Sequence, residues 1–148
     1  TVVGEYLKPK VRLPGAGGAP EISSSAKEVL IVVKQSKRTF VEKLDFITSV
    51  GYLDGVDARE KAGLLGKGPV AVITDLCILR PHAETRELEV SHIHPGADRE
   101  RIVASTGWKI RFKGNCDATA EPSEQELQVL RDLKARTAKA HGLEGETT

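Results

Sequence analysis

The chain has 148 residues, a formal net charge of +1 and 29% charged residues, which suits one ordinary globular domain. This balanced charge argues against nucleic acid as a partner, because nucleic-acid binding needs a strongly basic face. No apolar run approaches a membrane span, the start does not resemble a signal peptide, and two distant cysteines, Cys77 and Cys116, indicate a reducing compartment. We therefore expect a cytoplasmic protein with no membrane partner, a single domain over 1–148 and a frayed tail at 142–148.

The first distinctive segment is a glycine-rich turn, Gly15-Ala16-Gly17-Gly18-Ala19, with Pro20 at a predicted helix start. Glycine lets a ligand approach main-chain N–H groups, and the first turn of a helix favours negative charge. The spacing is not that of the dinucleotide fingerprint, and the lysine of a P-loop is absent. The local sequence thus leaves two readings open, an anion- or oxyanion-binding turn and a plain strand-to-helix turn.

Three further segments follow the turn. The apolar run 28–34 predicts a strand covered on both faces of an α/β sheet, and 39–46 predicts a second, less buried strand. The glycine-rich segment 48–68 predicts a long surface loop with a short helix around 58–65. We expect this loop to help select the substrate.

The second half continues the α/β pattern. Residues 69–79 predict a strand that turns into an alternating strand at 87–93, as an antiparallel hairpin. Asp98 predicts the N-cap of a short helix that ends at Gly107, and 108–112 predicts the last strand. Ser123 and Glu126 form a capping box before a helix that reaches residue 140. The fold class is therefore α/β, an open mixed sheet flanked by helices, with the glycine turn at the carboxyl edge of the sheet.

Several blocks, in this order, resemble the beta subunit of the family I coenzyme A transferases, of the glutaconate and 3-oxoadipate kind. They are the glycine turn, 23–27, 29–33, 38–48, 68–75, His94-Pro95-Gly96 and 104–108, so the resemblance extends to about residue 112. It implies the coenzyme A transferase (NagB/RpiA-like) fold. The chain would form the C-terminal portion, or second part, of the beta-subunit domain.

The resemblance also implies an activity, the transfer of coenzyme A between a thioester donor and a dicarboxylic or 3-oxo acid, in a hetero-oligomer with an alpha subunit. In that family the G-x-G-G loop holds the thioester oxygen as it becomes an oxyanion. The implied catalytic amides are those of Gly17, Gly18 and Ala19, and the implied coenzyme A thioester site is Gly15, Ala16, Gly17 and Gly18. The thioester is a substrate, and we expect no permanently bound cofactor and no metal.

The family's nucleophile is a glutamate that lies before the glycine loop, and neither Glu5 nor Glu21 stands in its motif. Since the chain also contains no methionine, we expect an N-terminal beta segment with this glutamate to be supplied upstream or by another chain. Two alternatives remain open, an acyl-CoA hydrolase or ring-opening enzyme on the same scaffold and a non-catalytic thioester-binding or structural subunit. A third, an N-terminal threonine nucleophile at Thr1, is at odds with its flanking sequence, which resembles the interior of the transferase subunit.

Other candidate residues each allow a plainer interpretation. His92 and His94 could form the edge of a metal site, but a surface pair fits better without further ligands. Asp75 could be a catalytic carboxylate, although an acceptor for a neighbouring turn is commoner. The basic segment 34–38 could meet the phosphates of coenzyme A or be a solvated loop, and Trp108 reads as a packing residue.

Overall fold

The computed structural model describes residues 2–142 other than 6, 14, 45 and 46. The described chain divides into two compact units, one within Thr1–Ala118 and the other within Thr119–Thr148. The predicted tail at 142–148 lies, beyond residue 142, outside the described residues, as does Thr1. No helix in the described part is both long and apolar enough to cross a membrane.

The described residues of the first unit form two sheets. The strands β1 (Val2–Gly4) and β2 (Pro9–Arg12) form an antiparallel ribbon. The larger sheet has the order β3-β4-β5-β6-β7, with parallel pairs at both ends and antiparallel pairs between them. Its strands are β3 (Val29–Val32), β4 (Pro69–Ile73), β5 (Cys77–Pro81), β6 (Leu88–Ile93) and β7 (Arg111–Ala118).

The described residues of the first unit also form the helices α1 (Ala19–Ser25), α2 (Ala58–Lys61) and α3 (Arg99–Ala104). The predicted α/β class with an open mixed sheet is confirmed. The predicted cap of α3 is also confirmed, because the Asp98 carboxylate accepts a hydrogen bond from the Arg101 amide at 2.7 Å.

One face of the sheet builds the core. Val72, Leu79 and Val90 are paired side by side across three strands and are at most 5% exposed. Ile102 of α3 is fully buried in the same cluster. The predicted strand at 28–34 exists as β3, but the expectation that both its faces are covered is wrong for this chain. Ile31 packs on the core, whereas Leu30 and Val32 on the other face are 64% and 79% exposed.

The strand predicted at 39–46 is not present in its described residues, 39–44. The chain instead makes a turn in which the amides of Thr39 and Phe40 donate to the Ser36 carbonyl. Phe40 is buried and stacks on Trp108, with ring centroids 5.9 Å apart. Turn hydrogen bonds and the packing of one aromatic ring hold the described residues of this segment, which have no strand ladder, so its β-forming residues misled the prediction.

The single strand predicted at 69–79 is two strands, β4 and β5, joined by a tight turn. The Thr74 hydroxyl causes the break, since it accepts hydrogen bonds from the amides of Leu76 and Cys77 at 3.0 and 2.9 Å. The predicted hairpin to the next strand is confirmed as β5 and β6. The last strand, expected at 108–112, begins later and is longer, as β7.

The second unit consists mainly of α4 (Glu124–Ala140). Its predicted capping box is confirmed, because the Ser123 hydroxyl accepts from the Glu126 amide while the Glu126 carboxylate accepts from the Ser123 amide. The apolar positions Leu127, Leu130 and Leu133 recur at helical spacing, yet no residue of this helix is buried.

Candidate functional site

The glycine turn leads from β2 into α1. Gly17 has a positive φ of 58°, which a side chain would make unfavourable, and Gly18 is the N-cap of α1 without any side-chain cap. Pro20 lies in the first helical turn as predicted, where its missing N–H leaves no backbone bond unmade. Local sequence therefore sets both the turn and the start of the helix.

The amides of the turn differ in their availability. The Ala19 amide donates to the Ala16 carbonyl at 3.3 Å, whereas those of Gly17 and Gly18 donate to no other described residue. Among the described residues beyond its chain neighbours, a Cβ added at Gly15, Gly17 or Gly18 would meet no atom within 4 Å. The turn thus offers two exposed main-chain donors at the positive end of a helix, an arrangement that suits a developing negative charge.

The opposite end of α1 is enclosed by Arg59, a residue of α2 that is only 7% exposed. Its guanidinium donates to the carbonyls of Gly66 at 3.1 Å, Gly51 at 2.7 Å and Ser23 at 3.0 Å. Charged residues flank it on both sides along the chain, so the local pattern does not mark it, and the sequence analysis missed it. This arginine ties both ends of the 48–68 segment to the last turn of α1.

A second buried polar group, Gln35, lies in the loop that follows β3. Its side-chain oxygen accepts from the hydroxyl of Thr74 at 2.9 Å and the thiol of Cys77 at 3.2 Å, and its nitrogen donates to Thr106 at 3.0 Å. The side chain is 4% exposed and connects loops that follow β3, β4 and α3. It lies in the basic segment 34–38, whose charges concealed a buried residue from the sequence analysis.

Asp75 accepts a hydrogen bond from a neighbouring loop, which is the plainer of the two interpretations of this residue. Its carboxylate accepts a hydrogen bond from the backbone amide of Gln35 at 2.8 Å. This bond is the main reason why the pKa of Asp75 is lowered, and the charges of Lys34 and Arg101 contribute less. The side chain itself is exposed. Asp75 therefore joins the carboxyl ends of two parallel strands, β3 and β4.

The two histidines do not point to a metal. His92 contacts the Ser91 hydroxyl at 3.0 Å, and the Nε2 atom of His94 lies 3.0 Å from the Thr74 carbonyl. Among the described residues no group of three or more His, Cys, Asp or Glu side chains could hold a metal ion. Both cysteines are free thiols, and Trp108 packs against the core as expected.

One cleft is lined by described residues outside the glycine turn. It has a volume of about 850 Å³, and its lining contains no residue of the turn. Much of it comes from the 48–68 segment, with Tyr52, Val56 and Leu65, while Val70 and Arg86 close the other side. Val56 has a positive φ of 38°, a strained conformation for a β-branched residue, and is 67% exposed.

Comparisons with known proteins agree with this architecture. The chain is 62% identical to the beta subunit of 3-oxoadipate CoA-transferase from Pseudomonas knackmussii, over 98% of its own length and 56% of that protein. It is 35% identical to the beta subunit of glutaconate CoA-transferase from Acidaminococcus fermentans, over 89% of this chain and 49% of that one. The crystal structure of glutaconate coenzyme A-transferase from the same organism matches with a TM-score of 0.76 and 31% identity, over 89% of this chain and 50% of that chain.

The chain spans about half the length of the curated relatives it matches. The family model described as coenzyme A transferase matches residues 1–105, which include the glycine turn, the β3–β4 pair and α3. The chain belongs to the coenzyme A transferase family.

Proposed function

We propose that this chain is part of the beta subunit of a cytoplasmic coenzyme A transferase, which moves coenzyme A between a thioester donor and a dicarboxylic or 3-oxo acid. The observation that carries the proposal is the 62% identity, across nearly the whole chain, to a subunit of 3-oxoadipate CoA-transferase. An acid with the chemistry of 3-oxoadipate, two carboxylates and a 3-oxo group, is the first substrate to test.

The glycine turn would act as the oxyanion hole. Each attack on a thioester or anhydride carbonyl places negative charge on its oxygen, and fixed main-chain donors stabilise that charge more than they stabilise the neutral carbonyl. This role is supported by the amides of Gly17 and Gly18, which donate to no other described residue, and by the room at their Cβ positions, where no described residue beyond the chain neighbours lies within 4 Å. The Ala19 amide is already bonded within the turn, so we assign the leading part to the two glycines.

The nucleophile would come from outside this chain. A transferase of this kind needs a carboxylate that forms an anhydride with the acyl group and then a thioester with coenzyme A. We propose that a glutamate on an N-terminal beta segment supplies it, and that an alpha subunit completes the enzyme.

Two other functions are less well supported. A hydrolase or ring-opening enzyme would use the same oxyanion hole, and a non-catalytic subunit would only bind the thioester. Neither draws support from the Pseudomonas knackmussii and Acidaminococcus fermentans relatives, which are both transferase subunits.

The test uses a hybrid beta subunit, in which this chain replaces the matching part of the Pseudomonas knackmussii protein and is purified together with the alpha subunit of that enzyme. We expect the hybrid complex to transfer coenzyme A to 3-oxoadipate and the isolated chain to show no turnover. Thioester hydrolysis without transfer would favour the hydrolase. The absence of both reactions, in a complex that forms normally, would favour the non-catalytic alternative.

The oxyanion role is tested by Gly17→Val in the hybrid complex. We expect kcat to fall ~100-fold or more, because one lost oxyanion donor costs ~3 kcal/mol in comparable acyl-transfer sites. Gly142→Val is the matched control, since Gly142 also has a positive φ, 67°, and open space around its Cβ position. Equal kcat values for the two variants would refute the role of the turn.

A further inference from the structure

The helix α1, which follows the glycine turn, is held by polar contacts more than by apolar packing. All residues of this helix are described, and only Ser23 among them is buried, while the apolar Ile22 is 59% exposed. Within the described chain, every hydrogen bond between α1 and a residue outside 16–26 goes to the 48–68 segment. The position of the helix therefore depends on polar contacts with that segment.

These contacts are concentrated at the last turn of α1. The Arg59 guanidinium donates to the Ser23 carbonyl at 3.0 Å, and the Val50 amide donates to the Ser23 hydroxyl at 3.1 Å. The Gly66 amide donates to the Ser24 carbonyl at 3.3 Å. Among the described residues no such bond reaches the first turn of the helix, so α1 is fixed mainly at its C-terminal end.

Arg59 joins this end of α1 to the start of the larger sheet. Its guanidinium also donates to the carbonyls of Gly51 and Gly66 at 2.7 and 3.1 Å. A Cβ added at Gly68 would lie 3.0 Å from the Arg59 side chain, and the Gly68 carbonyl accepts from the amide of Val29, the first residue of β3, at 3.1 Å. Because a planar guanidinium with several bonds has one orientation, Arg59 sets the position of α1 relative to β3.

Fixation at one end makes the glycine turn sensitive to the angle of the helix. The seven residues of α1 span about 10 Å, so a tilt of about 10° at the last turn would move the glycine turn by roughly 2 Å. A misplacement of about 1 Å can lower a catalytic rate ~100-fold, since donors act only within hydrogen-bond distance of the reacting oxygen. Changes around Ser23 should therefore reach the amides of Gly17 and Gly18.

We propose that Arg59 and Ser23 are positioning residues for the oxyanion hole. Through α1 they hold the amides of Gly17 and Gly18 at the place where a thioester oxygen becomes anionic, and neither side chain needs to touch the substrate. The inference rests on the proposed function in one respect, that the glycine turn is the oxyanion hole. It extends that function by assigning part of the rate to residues at the opposite end of the helix.

Ser23→Ala in the hybrid complex tests the proposal, with Ser24→Ala as the matched control. Both hydroxyls donate to the Pro20 carbonyl, but only that of Ser23 also accepts from the Val50 amide. We expect kcat to fall ~10-fold for Ser23→Ala and less than ~2-fold for Ser24→Ala, with an unchanged KM for the thioester, because the amides act chiefly in the transition state. Equal kcat values for the two variants, or a defect of Ser23→Ala in KM alone, would overturn the proposal.

A double-mutant cycle of Arg59→Met and Gly17→Val separates positioning from a general loss of stability. If Arg59 acts through the turn, Arg59→Met lowers kcat ~10-fold or more in the parent complex but less than ~2-fold once Gly17→Val has disabled the turn. Its loss of Tm should be the same in both backgrounds, because the buried hydrogen bonds of Arg59 are the same. All rates are measured below the Tm of every variant. An equal fold-loss of kcat in the two backgrounds would overturn the proposal.

Failure of the proposed function and failure of this inference give different results. A Gly17→Val variant as active as Gly142→Val would refute the oxyanion role and the positioning role together. A slow Gly17→Val variant beside a fully active Ser23→Ala variant would overturn the positioning role alone. If Arg59→Met does not fold, the comparison of Ser23→Ala with Ser24→Ala decides between these outcomes.

Discussion

The backbone groups at the two ends of the short helix α1 differ in their hydrogen bonding. At its start, the amides of Gly17 and Gly18 donate to no other described residue, and both glycines are exposed. At its end, the Ser23 carbonyl accepts from Arg59, and the Ser24 carbonyl accepts from the Gly66 amide at 3.3 Å. The negative end is thus capped by a buried cation and by backbone, while the positive end is left available.

The glycines near the two ends of α1 also differ in what requires them. An added Cβ at Gly66 would overlap the Ala26 carbonyl oxygen, so packing alone explains that glycine. Packing does not explain Gly15 or Gly18, which have open space and no positive φ. The amides of Gly17 and Gly18, which donate to no other described residue, suit the proposed ligand-binding role.

The largest effect on stability is expected for Arg59→Met, which removes the cation at the C-terminal end of α1. The change removes the cation and leaves the carbonyls of Gly51, Gly66 and Ser23 without their donor, so we expect the free energy of unfolding to fall by ~3 kcal/mol. Urea unfolding followed by circular dichroism measures it. The control is Arg131→Met, whose exposed ion pair with Glu124 should matter by less than ~0.5 kcal/mol. Similar losses for the two variants would show that the buried hydrogen bonds of Arg59 do not stabilise the fold.

Gly66→Ala should have the next largest effect. The new methyl group would press on the backbone of Ala26, which can move only with the end of α1, and such overpacking costs ~1–3 kcal/mol. Gly18→Ala at the open end is the comparison, with an expected change within ~0.5 kcal/mol. Thermal unfolding of both variants checks this, and a greater loss for Gly18→Ala would reverse our assignment of the crowded and open ends.

Gly17→Ala should cost less, ~1 kcal/mol, because the only penalty is a side chain at a φ of 58°. Gly114→Ala is its control, since Gly114 has open space and no positive φ. The two Tm values test the expectation. A stability loss at Gly17 as large as that of Arg59→Met would indicate that the turn serves the fold, and the case for a binding role would then weaken.

The smallest effect is expected at the ion pair of Glu28 and Lys67, in which the Lys67 Nζ atom lies 2.9 Å from the Glu28 Oε1 atom. The Lys67 ammonium lowers the pKa of Glu28 below its ordinary value of 4.5. The stabilisation is therefore fully present above pH 4.5 and is lost as the pH falls through the lowered pKa of the folded protein. Glu28→Gln should reduce the Tm slightly at pH 7 and not at all once the carboxylate is protonated; salt should also diminish the difference. A difference that persists in strong acid would exclude the ion pair as its cause.

Part of the fold follows from local sequence. Asp98 and Ser123 each cap a helix where the pattern predicts, because a capping side chain accepts a hydrogen bond from an amide no more than three residues further along the chain. Pro20 and the glycines before it likewise fix the start of α1, and the hairpin of β5 and β6 follows from alternation and turn residues. The family could also be predicted, since its motifs are continuous in sequence.

The sequence by itself determined the caps, the glycine turn and the family, because these depend on residues that are close together along the chain. Only the tertiary structure decided that Thr74 divides a continuous apolar run into two strands, and that Gln35 and Arg59 are buried among partners up to 71 residues away. It also decided that Leu30 and Val32 are uncovered. Burial is a property of distant neighbours, so an apolar run looks the same whether its second face is covered by this chain or by another segment.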